Sequence, residues 1–467
     1  MTIWVPELSN GRGPIYVAIA DALADDIASG KLPPRTRLPT HRELAYRLGV
    51  TVGTVTRGYA EAERRGLVYG EIGRGTFVLA GPPDPTPSIQ PDQQPADAPI
   101  NFAIDLTINF ALGEQRDQSM ARTLAALSRR NDLQRYLNYH PHRGMAEHRA
   151  AAAEWLNRNG LSFEPDQVII TGGGQHAMMT VFSTLCRPGD VVLCEQLTYA
   201  GMKALANHLQ IRLHGVAMDQ HGLIPSALAA ACRSTHARVL YCQPTVQNPT
   251  ATIMPEARRR EIVEVARANG ITIVEDDVYG FLPEKSLPPI SSLAPDIAVY
   301  ITSASKTMAP GLRIGYVGAP SRLAERLALP VRATLWMAPP LMAEIARLWM
   351  SDGTVERIIE ELRQASGERQ DMARRILATP EARMCDGSFL VWLPLPRDWR
   401  ARDFVAEAAR RGVAISGSDS FAVDPLPAPE SVRICLGAPA NRAILEKGLH
   451  IVRELLVSPA GPSLSVV

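Results

Sequence analysis

The sequence lacks an excess of charge of either sign. Its 467 residues include 49 Lys and Arg against 48 Asp and Glu, which gives a formal net charge of +1 at pH 7. A prediction of nucleic-acid binding must therefore rest on a local segment, because the chain as a whole gives no electrostatic basis for it.

The sequence also has few cysteines and no long apolar run. The six cysteines are scattered without a Cys-x-x-Cys pair, which excludes the usual zinc spacing and favours buried, reduced thiols. No uninterrupted apolar stretch approaches the length of a membrane span. Residues 1–13 lack the basic and then apolar order of a secretory signal. We therefore expect a cytoplasmic protein of two or three domains with no membrane partner.

Three short helices are predicted near the N-terminus. Apolar residues recur at every fourth position over 15–27 and indicate the first helix. The motif Thr40-His-Arg-Glu43 is a capping box that opens a second helix, which Gly49 would end. Thr51 would cap a third helix. The side chains predicted to face inward from this helix are Val52, Val55 and Tyr59.

The segment after these helices predicts a wing. Two short helices joined by a glycine-containing turn form a helix-turn-helix, and the alternating pattern of residues 67–79 indicates a small β-hairpin. Between residues 31 and 80, nine Lys and Arg stand against four Glu. On a single helix this excess would indicate only a solvated face. On a winged helix-turn-helix it predicts neutralisation of DNA phosphates.

Residues 32–78 resemble the GntR family of bacterial regulators. They carry two Leu-Pro pairs followed by T-x-R-x-LA, LGV, TV-x-x-x-Y and G-x-G-T-F-V. The resemblance implies that residues 51–65 form the recognition helix. Gly58 departs from a good helix sequence, at a cost of about 1 kcal/mol relative to alanine. The resemblance implies these contacts with double-stranded DNA: Arg42, Thr51, Thr54, Arg57 and Arg74.

Residues 81–99 contain seven prolines and almost no apolar side chains. This composition cannot form a core and favours an extended, semi-rigid chain. The predicted domains are therefore a DNA-binding domain over 1–80, a linker over 81–99 and a large domain over 100–467.

From residue 100 onward, predicted helices alternate with short apolar strands, as in an α/β fold with a mostly parallel sheet. Asn248, Asp276 and Lys306 each lie just beyond the C-terminal end of a predicted strand, about 30 residues apart. In an open α/β sheet such ends converge on one crevice. Pyridoxal phosphate needs a lysine for its aldehyde, a carboxylate for its pyridine nitrogen and hydrogen bonds to its phenolate oxygen. These three residues therefore predict a site for this cofactor.

Other features of this region have more than one interpretation. The turn Thr171-Gly-Gly-Gly-Gln175 opens a helix and could bind phosphate through backbone amides. The run Arg258-Arg259-Arg260 is expected to be a solvated helix face. The histidines His140, His142 and His148 have no evident carboxylate or cysteine partner, so no metal site is predicted.

Residues 100–455 resemble the class I/II aminotransferases of fold type I, which have a large α/β domain and a smaller α+β domain. The resemblance implies a Schiff base between pyridoxal phosphate and Lys306, and catalytic roles for Lys306, Asp276 and Tyr279. It implies that Arg433 binds the α-carboxylate of a substrate or effector. A serine or threonine is common in relatives where this chain has Gly174. The implied cofactor contacts are Lys306, Asp276, Asn248, Tyr279, Tyr199, Ser303, Ser305, Arg313, Gly174, Gln175 and Tyr139, the last reaching the neighbouring subunit's phosphate.

The two halves together resemble the MocR/GabR group of regulators. The resemblance implies a head-to-tail homodimer and a DNA-binding transcriptional regulator that senses an amine, an amino acid or pyridoxal phosphate itself at Lys306. A working aminotransferase acting on an α-amino acid is the alternative, because every residue that transamination needs is present. A lyase or decarboxylase on the same fold has no sequence feature in its favour.

Overall fold

A computed structural model describes residues 4–6, 14–29, 31–33, 36–64, 67–71, 75–78, 104–109, 115–285 and 287–458. Backbone contacts divide the chain into two compact units, Met1–Pro87 and Ser88–Val467. The predicted linker over 81–99 lies outside the described residues, so the domain boundaries stay predictions.

The N-terminal unit contains three helices and a hairpin: α1 (Ile15–Ala28), α2 (His41–Leu48), α3 (Val52–Arg64), β1 (Val68–Glu71) and β2 (Gly75–Val78). β1 and β2 pair antiparallel, as predicted for the wing. The Thr40 hydroxyl accepts a hydrogen bond from the Glu43 amide at 3.3 Å, which is one half of the predicted capping box. Among the described hydrogen bonds the reciprocal bond from Glu43 is not found. Gly49 ends α2 in the left-handed conformation, with φ 65°, as predicted.

Close packing of α1 on α3 accounts for the glycine at position 58 of α3. A Cβ at Gly58 would lie 3.0 Å from Cγ2 of Ile19 and 3.2 Å from the carbonyl oxygen of Tyr16. The intrinsic helix cost of glycine is thus offset by close approach of the two helices. Val55 and Tyr59 are buried in this core, as predicted, but Val52 is 45% exposed, so its predicted inward position is wrong. Val52 is the first residue of α3, before the helix has turned toward the core.

The C-terminal unit begins its described part at residue 104. Its strands are β3 (Ile104–Asp105), β4 (Val168–Thr171), β5 (Val191–Glu195), β6 (Arg212–Val216), β7 (Met218–Asp219), β8 (Gly222–Leu223), β9 (Val239–Cys242), β10 (Thr272–Asp276), β11 (Ala298–Ser303), β12 (Gly315–Gly318), β13 (Leu390–Pro394), β14 (Val413–Ala414), β15 (Ser416–Gly417) and β16 (Ser431–Cys435). Its helices are α4 (Gln115–Leu127), α5 (Ala146–Asn157), α6 (Gly174–Leu185), α7 (Ala200–Leu209), α8 (Pro225–Thr235), α9 (Glu256–Ala268), α10 (Ile290–Leu293), α11 (Ala304–Thr307), α12 (Ser321–Thr334), α13 (Pro340–Ser351), α14 (Thr354–Leu377), α15 (Ala401–Arg410) and α16 (Arg442–Val457).

Seven of these strands form one mixed sheet, in the order β4-β12-β11-β10-β9-β5-β6. β12 runs antiparallel to both of its neighbours, and the remaining pairs are parallel. The C-terminal ends of β4, β5, β9, β10 and β11 therefore lie at one edge of the sheet, where ligands bind in open α/β folds. The α/β prediction is confirmed.

Side chains of the central strands alternate between two apolar layers. Val192 and Cys194 of β5 pack with Phe182 of α6 on one face, whereas Leu193 packs with Ile262 of α9 on the other. Burial on both faces explains why these strands read as continuous apolar runs in the sequence.

A smaller α+β part completes the unit. β13, β16 and β15 form an antiparallel sheet, and β14 pairs in parallel with β3. α15 and α16 pack on these strands, and α14 packs against α16. β16 brings Arg433 into the interior, where it is 8% exposed.

The predicted solvated face at residues 258–260 is wrong for two of its three arginines. Arg259 is fully buried, and its guanidinium donates to the carbonyl oxygens of Met254, Pro244 and Pro288. Arg258 is partly buried and pairs with Asp219 at 2.9 Å. Three consecutive charges suggested a surface, but a guanidinium can be buried when backbone carbonyls accept its hydrogen bonds. Arg259 thereby fixes the loop that follows β9.

The described residues contain neither a membrane-spanning helix nor a metal-binding cluster. No helix there is both long and apolar enough to cross a membrane. No group of His, Cys, Asp and Glu there is arranged to hold a metal ion. His148 instead lies 3.1 Å from the buried carboxylate of Glu344.

Candidate functional site

Lys306 lies in α11, directly after the central strand β11. The Ser303 hydroxyl caps this short helix by accepting from the Ser305 amide at 3.3 Å. The Lys306 amine donates to the carbonyl oxygen of Asn109 and lies 5.9 Å from the centre of the Tyr279 ring. Burial lowers the pKa of this amine to about 8, which increases the fraction of neutral, nucleophilic amine near neutral pH.

A narrow opening of about 10 Å³ lies beside the amine. Its walls combine apolar and polar side chains, as ligand pockets usually do. The lining residues are Asn109, Arg116, Tyr279, Leu282, Ser305, Lys306 and Phe389.

Asp276 is the last residue of β10 and is buried, and its two carboxylate oxygens have different environments. Oδ2 accepts hydrogen bonds from the Tyr241 hydroxyl at 2.6 Å and from the Gln243 amide at 3.1 Å. Oδ1 is buried and has no hydrogen-bond partner among the described residues. Burial raises the pKa of this carboxyl to about 6. A cationic N–H donor facing Oδ1 would satisfy the oxygen and favour the ionised form.

Asn248 and Arg433 are in direct contact across the site. The Arg433 guanidinium donates to Oδ1 of Asn248 at 2.9 Å and to the carbonyl oxygen of Thr107 at 2.6 Å. Its centre lies 4.7 Å from the ring centre of Phe421. A planar guanidinium held in this way can present donors to a carboxylate in a fixed geometry.

Tyr279 follows β10 and is also buried. Its hydroxyl accepts a hydrogen bond from the Asn109 side-chain amide at 2.6 Å. Because that oxygen already accepts, its own hydrogen is available for donation to another group. Burial raises the pKa of Tyr279 above its usual range, so the hydroxyl stays protonated.

The glycine turn after β4 meets Ser303 and Arg313. A Cβ at Gly173, where φ is +95°, would lie 2.8 Å from Nη2 of Arg313. A Cβ at Gly174 would lie 3.5 Å from that of Ser303. Gly174 begins α6, so free backbone amides, a hydroxyl and a guanidinium converge where a helix N-terminus favours an anion.

Three predicted cofactor contacts differ in their surroundings. Tyr199 is partly buried at the start of α7. The side chain of Gln175 donates to the carbonyl oxygen of Gly201 at 3.0 Å, so its predicted role rests on its backbone amide. Tyr139 is 80% exposed, and its ring contacts that of Trp336 at 5.7 Å.

The predicted DNA contacts divide into two kinds within the N-terminal unit. Arg42 and Arg57 are exposed, whereas the hydroxyl of Thr51 bonds the Thr54 amide at 3.2 Å and the Thr54 hydroxyl at 2.9 Å. Thr51 thus caps α3, as predicted, and Thr54 is engaged in that cap. Arg74 lies outside the described residues.

Comparison with protein-family models decides the family of both units. The model "Aminotransferase class I and II" matches residues 103–452, and the model "Bacterial regulatory proteins, gntR family" matches residues 15–78. The chain belongs to the class I and II aminotransferases. Its N-terminal GntR-type helix-turn-helix makes it a transcriptional regulator of the MocR type, with a DNA-binding domain fused to an aminotransferase-like domain.

Curated relatives share this order of domains or its second half. The HTH-type transcriptional regulator YdeF of Bacillus subtilis is 28% identical over 453 residues, which cover 97% of this chain and 96% of that protein. YjiR of Escherichia coli, another HTH-type transcriptional regulator, is 28% identical over 82% of this chain and 86% of its own. The 2-aminoadipate transaminase of Thermus thermophilus is 28% identical over 61% of this chain and 74% of its own.

Solved structures confirm the fold of the aminotransferase-like domain. An archaeal alanine:glyoxylate aminotransferase superposes with a TM-score of 0.70 at 22% identity, covering 76% of this chain and 90% of that chain. The α-aminoadipate aminotransferase LysN of Thermus thermophilus gives a TM-score of 0.69 at 24% identity, covering 76% and 92%.

The aminotransferase class I/II fold typically binds pyridoxal phosphate, and the residues of this MocR-type regulator fit that group. The buried Oδ1 of Asp276 lacks a partner among the described residues and suits a pyridine N–H. The Lys306 amine borders an opening. The turn at Gly173 and Gly174 approaches Arg313 and Ser303 closely enough to surround a phosphate.

Sequence reasoning missed three residues at this site, and their positions explain why. Asn109 contacts Lys306 from 197 positions away, so no local spacing indicates it. Tyr241 lies inside an apolar strand, where its hydroxyl gives no signal. Gln243 follows that strand directly and precedes Asn248 by a few residues, so its place at a strand end was the available signal.

Proposed function

We propose that this MocR-type regulator binds pyridoxal phosphate at Lys306 and senses an amine, an amino acid or the cofactor itself through that attachment. The proposal rests on three features of one domain: Lys306, the unpaired Oδ1 of Asp276, and the glycine turn after β4, where Gly173 approaches Arg313. The same chain also carries a helix-turn-helix. When bound, pyridoxal phosphate supplies an aldehyde that reacts reversibly with amines.

The chain's own residues would divide the binding among them. Lys306 would provide the amine for attachment, and Oδ1 of Asp276 would accept a hydrogen bond from the protonated ring nitrogen. Tyr279 and Asn248 would donate to the phenolate oxygen. The phosphate would be held by Gly174, Gln175, Ser303, Ser305 and Arg313, with Tyr199 on the ring and Tyr139 supplied to a second subunit.

Arg433 supports the sensing of a carboxylate. In the present arrangement it donates to Asn248 and Thr107, so an incoming α-carboxylate would share or take over these donors. A ligand can shift the conformation of the domain only through such differences in contact between two states. The effector class that fits is therefore an α-amino acid, with simple amines as weaker ligands.

DNA binding by the N-terminal unit would depend on its exposed basic side chains. Arg42 and Arg57 are exposed on α2 and α3 and suit phosphate or base contacts, and we assign Arg74 to the DNA backbone on the family resemblance alone. We place the regulator in the cytoplasm as a head-to-tail homodimer. Two copies would present two helix-turn-helix units to two half-sites.

A working aminotransferase is the second candidate. The lowered pKa of Lys306 and the placement of Arg433 beside Asn248 suit turnover as well as sensing. Steady transfer of amino groups from an amino acid to 2-oxoglutarate would favour the enzyme. A change in the visible spectrum that is limited to one equivalent of amino acid, together with a change in the DNA footprint, would favour the regulator.

Lys306→Ala tests the cofactor assignment. We expect the variant to lose the visible absorbance of the purified protein, because it lacks the amine that would attach the cofactor. Lys447→Ala is the control, since Lys447 is exposed on α16 and should leave the absorbance unchanged. Retention of the visible band in Lys306→Ala would show that the cofactor is attached elsewhere.

A further inference from the structure

Gln243 connects the two residues assigned to the cofactor ring. It is 2% exposed and directly follows β9. Its side-chain amide donates to Oδ2 of Asp276 at 3.1 Å, and its side-chain oxygen accepts from the Asn248 backbone amide at 3.4 Å. Because a carboxylate can only accept and a backbone N–H can only donate, the orientation of the Gln243 amide is fixed.

The backbone of Gln243 is held by a second buried carboxyl group. Oε1 of Glu195 accepts from the Gln243 backbone amide at 2.8 Å, and Glu195 is 1% exposed at the end of β5. Neither group has a role in the cofactor contacts given above. Hydrogen bonds between Glu195 and Gln243 and between Gln243 and Asp276 thus connect the ends of the three strands β5, β9 and β10.

The contact with Asp276 determines which carboxylate oxygen is available. Tyr241 and Gln243 both donate to Oδ2, which fixes the plane of the carboxylate and leaves Oδ1 for another donor. Both hydrogen bonds also favour the ionised form of Asp276, against the burial that raises its pKa to about 6. Loss of either donor would therefore raise this pKa further.

We propose that Gln243 is a positioning residue that holds Asp276 in the geometry required by the pyridine nitrogen of bound pyridoxal phosphate. This inference rests on the proposed cofactor site. Gln243 touches neither cofactor nor effector in this assignment, and it acts through the orientation and ionisation of Asp276.

Affinity for two cofactors, measured on the full-length apoprotein, tests the proposal. The probes are pyridoxal phosphate and 1-deazapyridoxal phosphate, in which a carbon replaces the ring nitrogen. We expect Gln243→Met to bind pyridoxal phosphate on the order of tenfold more weakly at pH 7, the usual effect of losing a hydrogen bond to a charged group. The loss of affinity should be larger at pH 6 than at pH 8, because the higher pKa of Asp276 in the variant would keep this carboxyl protonated over a wider range of pH than in the wild type. The deaza analogue should bind both proteins equally.

Gln370→Met is the matched control. Gln370 is equally buried, at 1% exposed. Its side-chain amide donates to backbone oxygens of Cys385 and Ser388, and its side-chain oxygen accepts from Arg374 at 2.9 Å. It should lower thermal stability without changing the pH dependence of cofactor affinity. If Gln243→Met does not fold, Gln243→Asn takes its place in the test. The Asn side chain is too short for its amide to reach Asp276, so this variant should show the same loss of affinity for pyridoxal phosphate.

The possible results separate the two proposals. If the wild-type protein does not bind pyridoxal phosphate, the proposed function fails. If it binds while the Gln243 variants match it, or lose affinity equally for both probes, the positioning role of Gln243 is wrong. Weakening confined to the probe with a ring nitrogen supports the role.

Discussion

The two units of this regulator place their functional groups in opposite ways. In the N-terminal unit the candidate DNA contacts Arg42 and Arg57 are exposed, on helices whose opposite faces form a small core. In the aminotransferase-like unit Asp276, Asn248 and Arg433 are buried and joined by hydrogen bonds to neighbouring groups. A single change should therefore weaken DNA binding modestly, but should alter ligand binding strongly. The predictions below test that contrast, beginning with the largest expected effect.

Replacement of Arg433 should have the largest effect on the buried site. We expect Arg433→Met to weaken the response to amino acids by about 100-fold, because two charge-assisted hydrogen bonds to a carboxylate are lost. Spectral titration with an amino acid and with its decarboxylated amine measures this. The amine has no carboxylate and serves as the control, so an equal loss for both ligands would contradict the role of Arg433.

Buried carboxyl groups should make the apoprotein less stable as pH rises. Burial raises the pKa of Glu195 to about 8 and that of Asp276 to about 6, and it also raises the pKa of Glu275. The folded state therefore binds more protons than the unfolded state above about pH 4, and this stability is lost as pH rises through the folded-state values.

Thermal unfolding of the apoprotein between pH 6 and pH 9 measures this effect. We expect the Tm to fall by roughly 3 °C or more over that range. Glu195→Gln should flatten the dependence, because the side chain no longer titrates. A Tm that rises with pH over this range would contradict the assignment of neutral carboxyl groups to the folded state.

A smaller effect is expected for an exposed arginine of α3. If Arg57 contacts a phosphate, Arg57→Ala should weaken DNA binding by about tenfold. It should also reduce the slope of log affinity against log salt concentration by about 1. Binding to DNA around the protein's own gene, measured at several salt concentrations, tests this. Lys31→Ala is the control, since Lys31 pairs with Asp26 outside α2 and α3. An effect of Lys31→Ala as large as that of Arg57→Ala would argue against a specific contact.

Two glycines of α3 should respond oppositely to alanine. Gly58→Ala should lower the stability of the N-terminal unit by about 1 kcal/mol, because the contacts with Ile19 and Tyr16 outweigh the gain in helix propensity. Gly53→Ala should raise stability by up to about 1 kcal/mol, since a Cβ there would meet only Thr51 Oγ1, at 3.8 Å. Thermal unfolding of both variants gives the comparison, and stabilisation by Gly58→Ala would contradict the close packing of α1 and α3.

The sequence predicted features that depend on neighbouring residues. The cap at Thr51, the end of α2 at Gly49 and the strands that precede Asp276 and Lys306 all follow from spacing over a few positions. Because parallel strands end at one sheet edge, the predicted convergence there also follows from the order of the elements.

Contacts between distant residues could not be predicted in this way. The burial of Arg259 depends on carbonyl groups of three separate residues. The role of Asn109 depends on folding across most of the chain. Val52 is exposed because it is the first residue of α3, before the helix turns toward the core. The apolar pattern of the sequence did not determine where this helix begins relative to the core.

The most direct test of the central claim is a DNA footprint of the holoprotein at its own gene, recorded with and without an amino acid that changes its visible spectrum. Wild-type protein and Lys306→Ala are compared at equal occupancy of the DNA. We predict that the amino acid changes the footprint of the wild type and leaves that of Lys306→Ala unchanged. An identical change in both proteins would contradict sensing through Lys306.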